Sequence, residues 1–261
     1  MYNFEFTKPT TIADAVSALA QEEAQALGGG QTLLPTMKQR LAQMETLVSL
    51  NGISEMQGVC IGDDGALCIG GATPHAVVAA DSHYPGLASL AGRIGDPAVR
   101  NRGTIGGSLA NNDPSACYPA AALASGATIK TNARDIAADD FFQGMFDTAL
   151  EDGEIITEVR FPIPEAANYQ KFVQPASRFA LVGVFVAKFA DGVRVAVTGA
   201  SSDGVFRWAE AEAALSSDFS KGAVDGLNVP SGDMISDLHG TGEYRAHLVK
   251  VMTGRAVAAA A

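Results

Sequence analysis

Short alternating and helically spaced apolar runs divide this chain into many small elements. Residues 4–7 alternate as a strand, and Thr10 or Thr11 is placed to cap a helix whose apolar positions are Ile12, Ala15, Val16 and Leu19. A strand over 24–27 leads into a glycine cluster, and 33–41 reads as a short helix after it. Strands follow at 46–50, 58–61 and 66–69, with Asp63-Asp64-Gly65 as the hairpin turn between the last two. Helical spacing returns at 75–80, 87–94 and 118–124, and strand patterns at 128–130 and 155–161. Pro162 and Pro164 then interrupt the chain, because prolines so close together continue neither a helix nor a central strand. This places a domain boundary at 165, with 1–165 and 166–261 as the two parts. The second part shows strands at 181–189 and 193–198 joined by Asp191-Gly192, then helices at 209–215 and 244–260. Strands and helices in separate blocks predict an α+β fold.

Two glycine-rich stretches carry the candidate chemistry: Gly28-Gly29-Gly30-Gln31-Thr32 with Leu33, and Thr104-Ile105-Gly106-Gly107-Ser108. Read as turns, they let the backbone adopt φ > 0 and approach a ligand closely, so consecutive amides can converge on an anion such as a pyrophosphate. The usual phosphate loops are absent. Leu33 stands where Gly-x-Gly-x-x-Gly needs its third glycine, and Gly-x-x-x-x-Gly-Lys-Ser/Thr does not occur. What remains is a dinucleotide held between two loops distant in sequence, with the helix after the first adding its N-terminal dipole. Arg93, Arg100 and Arg102 form the densest positive cluster, read either as solvated surface or as an electrostatic or subunit contact.

The flanks of these stretches, Leu27 to Pro35 with Lys38 and Arg40, and Arg100-Asn101-Arg102-Gly103 before Thr104, resemble the two FAD signatures of the molybdenum hydroxylase flavoprotein subunits. This is the family of the medium subunit of carbon monoxide dehydrogenase and of its xanthine and aldehyde dehydrogenase relatives. Tyr244-Arg245, Leu248, Met252 and Arg255-Ala256 resemble its C-terminal helix. The resemblance implies an N-terminal FAD domain of the vanillyl-alcohol-oxidase (p-cresol methylhydroxylase) type in two α/β subdomains, and a C-terminal small antiparallel sheet with helices. It implies that Gly28, Gly29, Gly30, Gln31, Thr32, Leu33, Thr104, Ile105, Gly106, Gly107 and Ser108 hold FAD, that Asn111 and Asp113 reach its sugar hydroxyls, and that Phe179 stacks on the isoalloxazine. Four positions after that aspartate the family commonly has an acidic residue, where this chain has Cys117. The implied partners are a large molybdopterin subunit and a small iron–sulfur subunit in a dimer of heterotrimers, with NAD, a quinone or oxygen as external acceptor. A stand-alone FAD oxidase or reductase of the same fold, or a non-redox nucleotide- or protein-binding module, is the alternative.

Composition bears on partners and compartment. With 261 residues, 47% of them hydrophobic, the chain can bury a sizeable core. Its net charge of −11 argues against nucleic acid. A pyrophosphate is still tolerated, since salt screens net charge beyond about 8 Å while hydrogen bonds to a charged group contribute about 1.5–3 kcal/mol each. Residues 1–9 carry Glu5 and Lys8 and lack a signal-peptide core, and the apolar run 179–190 is interrupted by Lys188, so a soluble cytoplasmic protein is expected. Cys60, Cys68 and Cys117 show no metal-site spacing, and packing is the expected role of Cys60 and Cys68. His75, His83, His239 and His247 are scattered, so neither metal ligands nor catalytic residues are expected of this chain.

Overall fold

The computed structural model describes residues 1–260. Its first body is a parallel three-stranded sheet: β1 (Glu5–Thr7), α1 (Ile12–Leu19), β2 (Ala24–Leu27), α2 (Leu33–Lys38) and β3 (Thr46–Ser49), in strand order β1-β3-β2. Thr11 caps α1 by accepting from the Asp14 amide at 3.1 Å, which fixes the strand-to-helix turn. Ala15 and Leu19 of α1 pack on Val48, and the buried strand β3 lies between its two neighbours.

The second body begins with the hairpin β4 (Val59–Ile61) and β5 (Leu67–Gly70), followed by the helices α3 (His75–Ala79), α4 (Pro85–Gly92), α5 (Pro97–Arg100), α6 (Ile105–Asn111) and α7 (Tyr118–Ser125). It continues through β6 (Thr128–Thr131), β7 (Asp135–Ala137), α8 (Ala138–Phe141), the small hairpin β8 (Phe142–Gly144) with β9 (Asp147–Thr148), and β10 (Ile156–Phe161). Five of these strands form an antiparallel sheet in the order β4-β5-β10-β6-β7. Its apolar face, with Leu67, Ile69, Ile129, Val159 and Phe161, packs on α4, α6 and the alanine-rich α7.

The third body is an antiparallel sheet, β11 (Ala166–Val173), β12 (Ala180–Phe189), β13 (Gly192–Ser201) and β14 (Gly204–Arg207), followed by α9 (Ala209–Ser217) and α10 (Gly242–Ala260). β12 is buried on both faces, and its period-two alternation splits the core. Phe185 and Ala187 join the core around α4 and α7, while Val182, Val184 and Val186 join Val195, Val197, Trp208, Val249 and Met252 under α9 and α10. The sheet of the 166–260 portion is thus a layer between two sets of helices. One of those sets belongs to the N-terminal part of the chain.

Most strands and helices lie where the residue pattern puts them, within a few residues. β11 was not legible from the pattern, and the second glycine stretch forms the start of α6 and not a turn. Among the described residues, no helix is long and apolar enough to cross a membrane, and no three His, Cys, Asp or Glu side chains cluster as metal ligands.

Candidate functional site

A cleft of about 1270 Å3 runs between the parallel sheet, the start of α6 and the tip of the β11–β12 hairpin. That is more than the roughly 300–1,000 Å3 of a drug-sized pocket and suits a dinucleotide. Thirteen of the fourteen expected site residues line it: Gly28, Gly29, Gly30, Gln31, Thr32, Leu33, Thr104, Gly106, Gly107, Ser108, Asn111, Asp113 and Phe179. Ile105 does not. Its side chain is fully buried in the core and its amide donates to Thr73 O at 3.2 Å, so it anchors the helix from behind.

The first loop leaves β2 at Leu27 and reaches α2 at Leu33, with Gly30 at φ +71. Among the described residues, no backbone amide from Gly28 to Leu33 donates to another group. The carbonyls are partly used: Gly28 O accepts from Asn51 Nδ2 at 3.1 Å and Gly29 O from Gln31 Nε2 at 3.2 Å. A run of six amides without acceptors beside a cleft is a concave set of donors for an anion.

The second stretch corrects the expectation of a matching amide cradle. Thr104 caps α6, and the four first amides of that helix are all taken within the chain. Ile105 and Gly106 donate to Thr73 O and Gly71 O at 3.2 and 2.9 Å, Gly107 to Thr104 Oγ1 at 3.2 Å, and Ser108 to Thr104 O at 3.0 Å. Its glycines serve close packing. A Cβ on Gly106 would sit 2.6 Å from Gly71 O, whereas one on Gly107 would meet within 4 Å only Thr104 Oγ1, at 2.9 Å. The two stretches touch: a Cβ on Gly29 would fall 2.1 Å from Arg102 O, and one on Gly28 2.8 Å from Thr104 Oγ1.

Side chains complete the wall. Thr32, Ser108 and Asn111 make no side-chain hydrogen bond among the described residues, whereas Asp113 already accepts from the Ser115 amide at 2.8 Å. Cys117, buried at the start of α7, lines the cleft with Lys171, whose Nζ lies 3.6 Å from its Sγ and donates to Arg93 O at 3.0 Å. Phe179 stands at the hairpin tip beside Ser177 and Arg178, both at φ 58, with its ring edge-on to His239 at 5.6 Å. The arginine cluster divides: Arg93 donates to Tyr169 O on β11 and Arg100 to Ile94 and Gly95 O in the loop before it, while Arg102 is exposed with no partner among the described residues.

Several lining residues were missed. His75 sits under Gly103, which a Cβ would bring 2.5 Å from its Nε2, and its amide donates to Gly103 O at 2.9 Å. Burial, with Arg100 adding to it, pushes its pKa down to about 4, and its Nδ1 has no partner among the described residues. The signal was present as a third glycine cluster, Gly70-Gly71-Ala72-Thr73-Pro74-His75, at the end of β5. A turn carrying Glu151, Asp152 and Glu154 also lines the cleft. Burial raises the Glu154 pKa, but hydrogen bonds from Arg134, Thr131 and the Glu151 amide hold it at about 2.

Unsatisfied amides at one wall, glycine-packed backbone at the other and an aromatic at the rim define a nucleotide-cofactor-binding protein. The comparisons narrow this class. Residues 2–164 match the family described as FAD binding domain in molybdopterin dehydrogenase. The chain is 33% identical to the carbon monoxide dehydrogenase medium chain of Afipia carboxidovorans, over 98% of this chain and 96% of that one. It is 33% identical to the nicotine 6-hydroxylase medium subunit of Paenarthrobacter nicotinovorans, over 97% and 95%. A solved structure of reconstituted CO dehydrogenase from Oligotropha carboxidovorans superposes with a TM-score of 0.89 at 30% identity, over 99% of this chain and 98% of that one. The chain belongs to the FAD-binding flavoprotein subunits of the molybdenum hydroxylases.

Proposed function

We propose that this chain holds FAD in the cleft and works as the electron-transfer subunit of a multisubunit molybdenum hydroxylase. Electrons arrive from iron–sulfur clusters of a small subunit, filled in turn at a molybdopterin-bearing large subunit, and leave to an external acceptor. The observation that carries this is the run of unpartnered amides from Gly28 to Leu33, packed so closely on the second stretch that a Cβ on Gly29 would meet the Arg102 carbonyl. These residues fit the group, because a diphosphate supplies the acceptors they lack. Bound FAD supplies the redox chemistry, taking electrons singly and releasing them in pairs.

The chain's own part is to bind and orient. The first loop donates to the diphosphate, Gly107 allows it close to α6, and Thr32, Ser108 and Asn111 offer free polar groups to phosphate or sugar. Asp113 keeps one oxygen beyond its Ser115 bond for a hydroxyl in the place the family gives to an acidic residue at 117. Residues 1–165 form the cofactor domain in this reading, and 166–261 contribute Phe179, which lines the cleft and would contact the isoalloxazine. The relatives' names as medium chains support assembly with a large and a small subunit, to which this reading adds a heterotrimer doubled by symmetry and a cytoplasmic setting.

Native purification tests the reading: FAD with a large and a small partner is expected, FAD without partners would establish a free-standing oxidase, and no flavin would leave a binding module. Gly107→Val is expected to fold with the wild-type circular dichroism spectrum and lose its FAD. A variant that stayed fully yellow would remove the second stretch from the site.

A further inference from the structure

The β4–β5 edge of the five-stranded sheet carries a second piece of chemistry, on two residues that do not line the cleft. Cys60 on β4 and Cys68 on β5 are direct cross-strand partners in the antiparallel register. The pairs on either side are hydrogen-bonded, Gly62 N to Ala66 O at 2.9 Å and Gly70 N to Gly58 O at 3.0 Å. Alternation along an antiparallel ladder makes Cys60–Cys68 a hydrogen-bonded pair as well, for which the Cα atoms lie about 5.5 Å apart and the side chains share one face. A disulfide needs Cα atoms about 4.4–6.8 Å apart. Contrary to the packing role expected from sequence, Cys60 is exposed, while Cys68 is buried beside it. The same face carries Arg160, the partner of Cys68 on β10, and Glu158.

We propose that Cys60 and Cys68 form a dithiol site that a small disulfide such as oxidised glutathione converts into an intramolecular cross-strand disulfide. The Cys60 thiolate attacks one sulfur of the oxidant and expels one reduced thiolate. Cys68 then loses its proton to solvent, attacks Cys60 Sγ and expels the second. Two protein thiols are oxidised and one external disulfide is reduced to two thiols. The order follows from access: an external disulfide reaches Cys60 first, and Cys68 needs only a side-chain rotation to reach its partner across the ladder. Burial pushes the Cys68 thiol up, so it stays protonated while the open Cys60 meets the oxidant first, and it resolves the adduct because it faces it across the ladder. The bond ties the edge strand β4 to β5, and its exposure makes it reversible.

The natively purified protein, incubated with oxidised glutathione, alkylated in denaturant and digested with trypsin, tests this. Both cysteines fall in one tryptic peptide, residues 41–93, which has no internal Lys or Arg. That peptide is expected to lose two hydrogens and carry no alkyl group, while Cys117 is alkylated in full. Cys68→Ser is expected to trap a glutathione adduct on Cys60, and Cys60→Ser to leave Cys68 alkylatable. A stable adduct on Cys60 in the wild-type chain, or both thiols fully alkylated after treatment, would overturn the site.

Discussion

The two glycine stretches look alike as letters and do opposite things as structure. From Gly28 to Leu33 the backbone keeps its donors free, and its one left-handed glycine, Gly30, is the turn that aims the chain into α2. From Thr104 to Ser108 every helical amide is taken, Gly106 lets α6 lie on the Gly71 backbone, and Gly107 leaves the helix start bare toward the cleft. One wall supplies hydrogen bonds and the other supplies shape. The largest test of that division is Gly29→Ala. Its Cβ would meet the Arg102 carbonyl, which is main chain and cannot rotate away, so a loss of about 3 kcal/mol, the upper end of overpacking, is expected in denaturant unfolding. Wild-type stability would mean that the walls are not in contact.

Burial pattern decides which elements show in the sequence. α1 is legible because one-sided burial writes itself into spacing, and β12 and β13 because strands buried on both faces read as continuous Val-rich runs. β11 is not, because its faces are half-buried and its Asn168, Gln170 and Lys171 dilute the alternation. Gly106-Gly107 reads as a turn because a glycine pair is a turn signal. Only the docking of Gly71 under α6 makes a helix with two glycines worth its entropy. Cys60 was expected inside because its neighbours are apolar, yet β4 is an edge strand and its outer face is open. Nothing local in the sequence shows that His75 lies beneath the second stretch, under Gly103.

That histidine gives the next test. Unfolded, its imidazole takes a proton near pH 6.5, and folded only near 4. Between these values the unfolded chain binds more protons, so stability falls as pH drops from 6.5 to 4, by roughly 3 kcal/mol from this group. In His75→Gln this part of the pH slope should vanish, which paired urea titrations at several pH values measure. An unchanged slope would show that the floor under Gly103 is not closed to water. Thr104→Ala is milder: losing the cap that holds the Gly107 amide should cost about 1 kcal/mol. A loss of FAD beyond that expected from stability would make the Thr104 hydroxyl a direct contact, and give the second wall a donor of its own.

The smallest expected effect lies on the rim. Glu154 contrasts with the first loop, since Thr131 and Arg134 donate to its Oε1, and Arg134 and the Glu151 amide to its Oε2. Its folded pKa lies below the ordinary 4.5, at about 2, so its contribution is complete above 4.5 and is lost as pH falls toward 2. The carboxylate is enclosed, with 4% of the side chain exposed, but Arg134 is 44% exposed. Solvent screening therefore limits the contribution to roughly 1 kcal/mol. Glu154→Gln should lower stability by that amount at pH 7 and by almost nothing near pH 2, with FAD content unchanged throughout. A satisfied carboxylate at the cleft edge shapes the turn it sits on. If flavin were lost with it at neutral pH, the rim would have to be counted with the first loop as part of what grips the ligand.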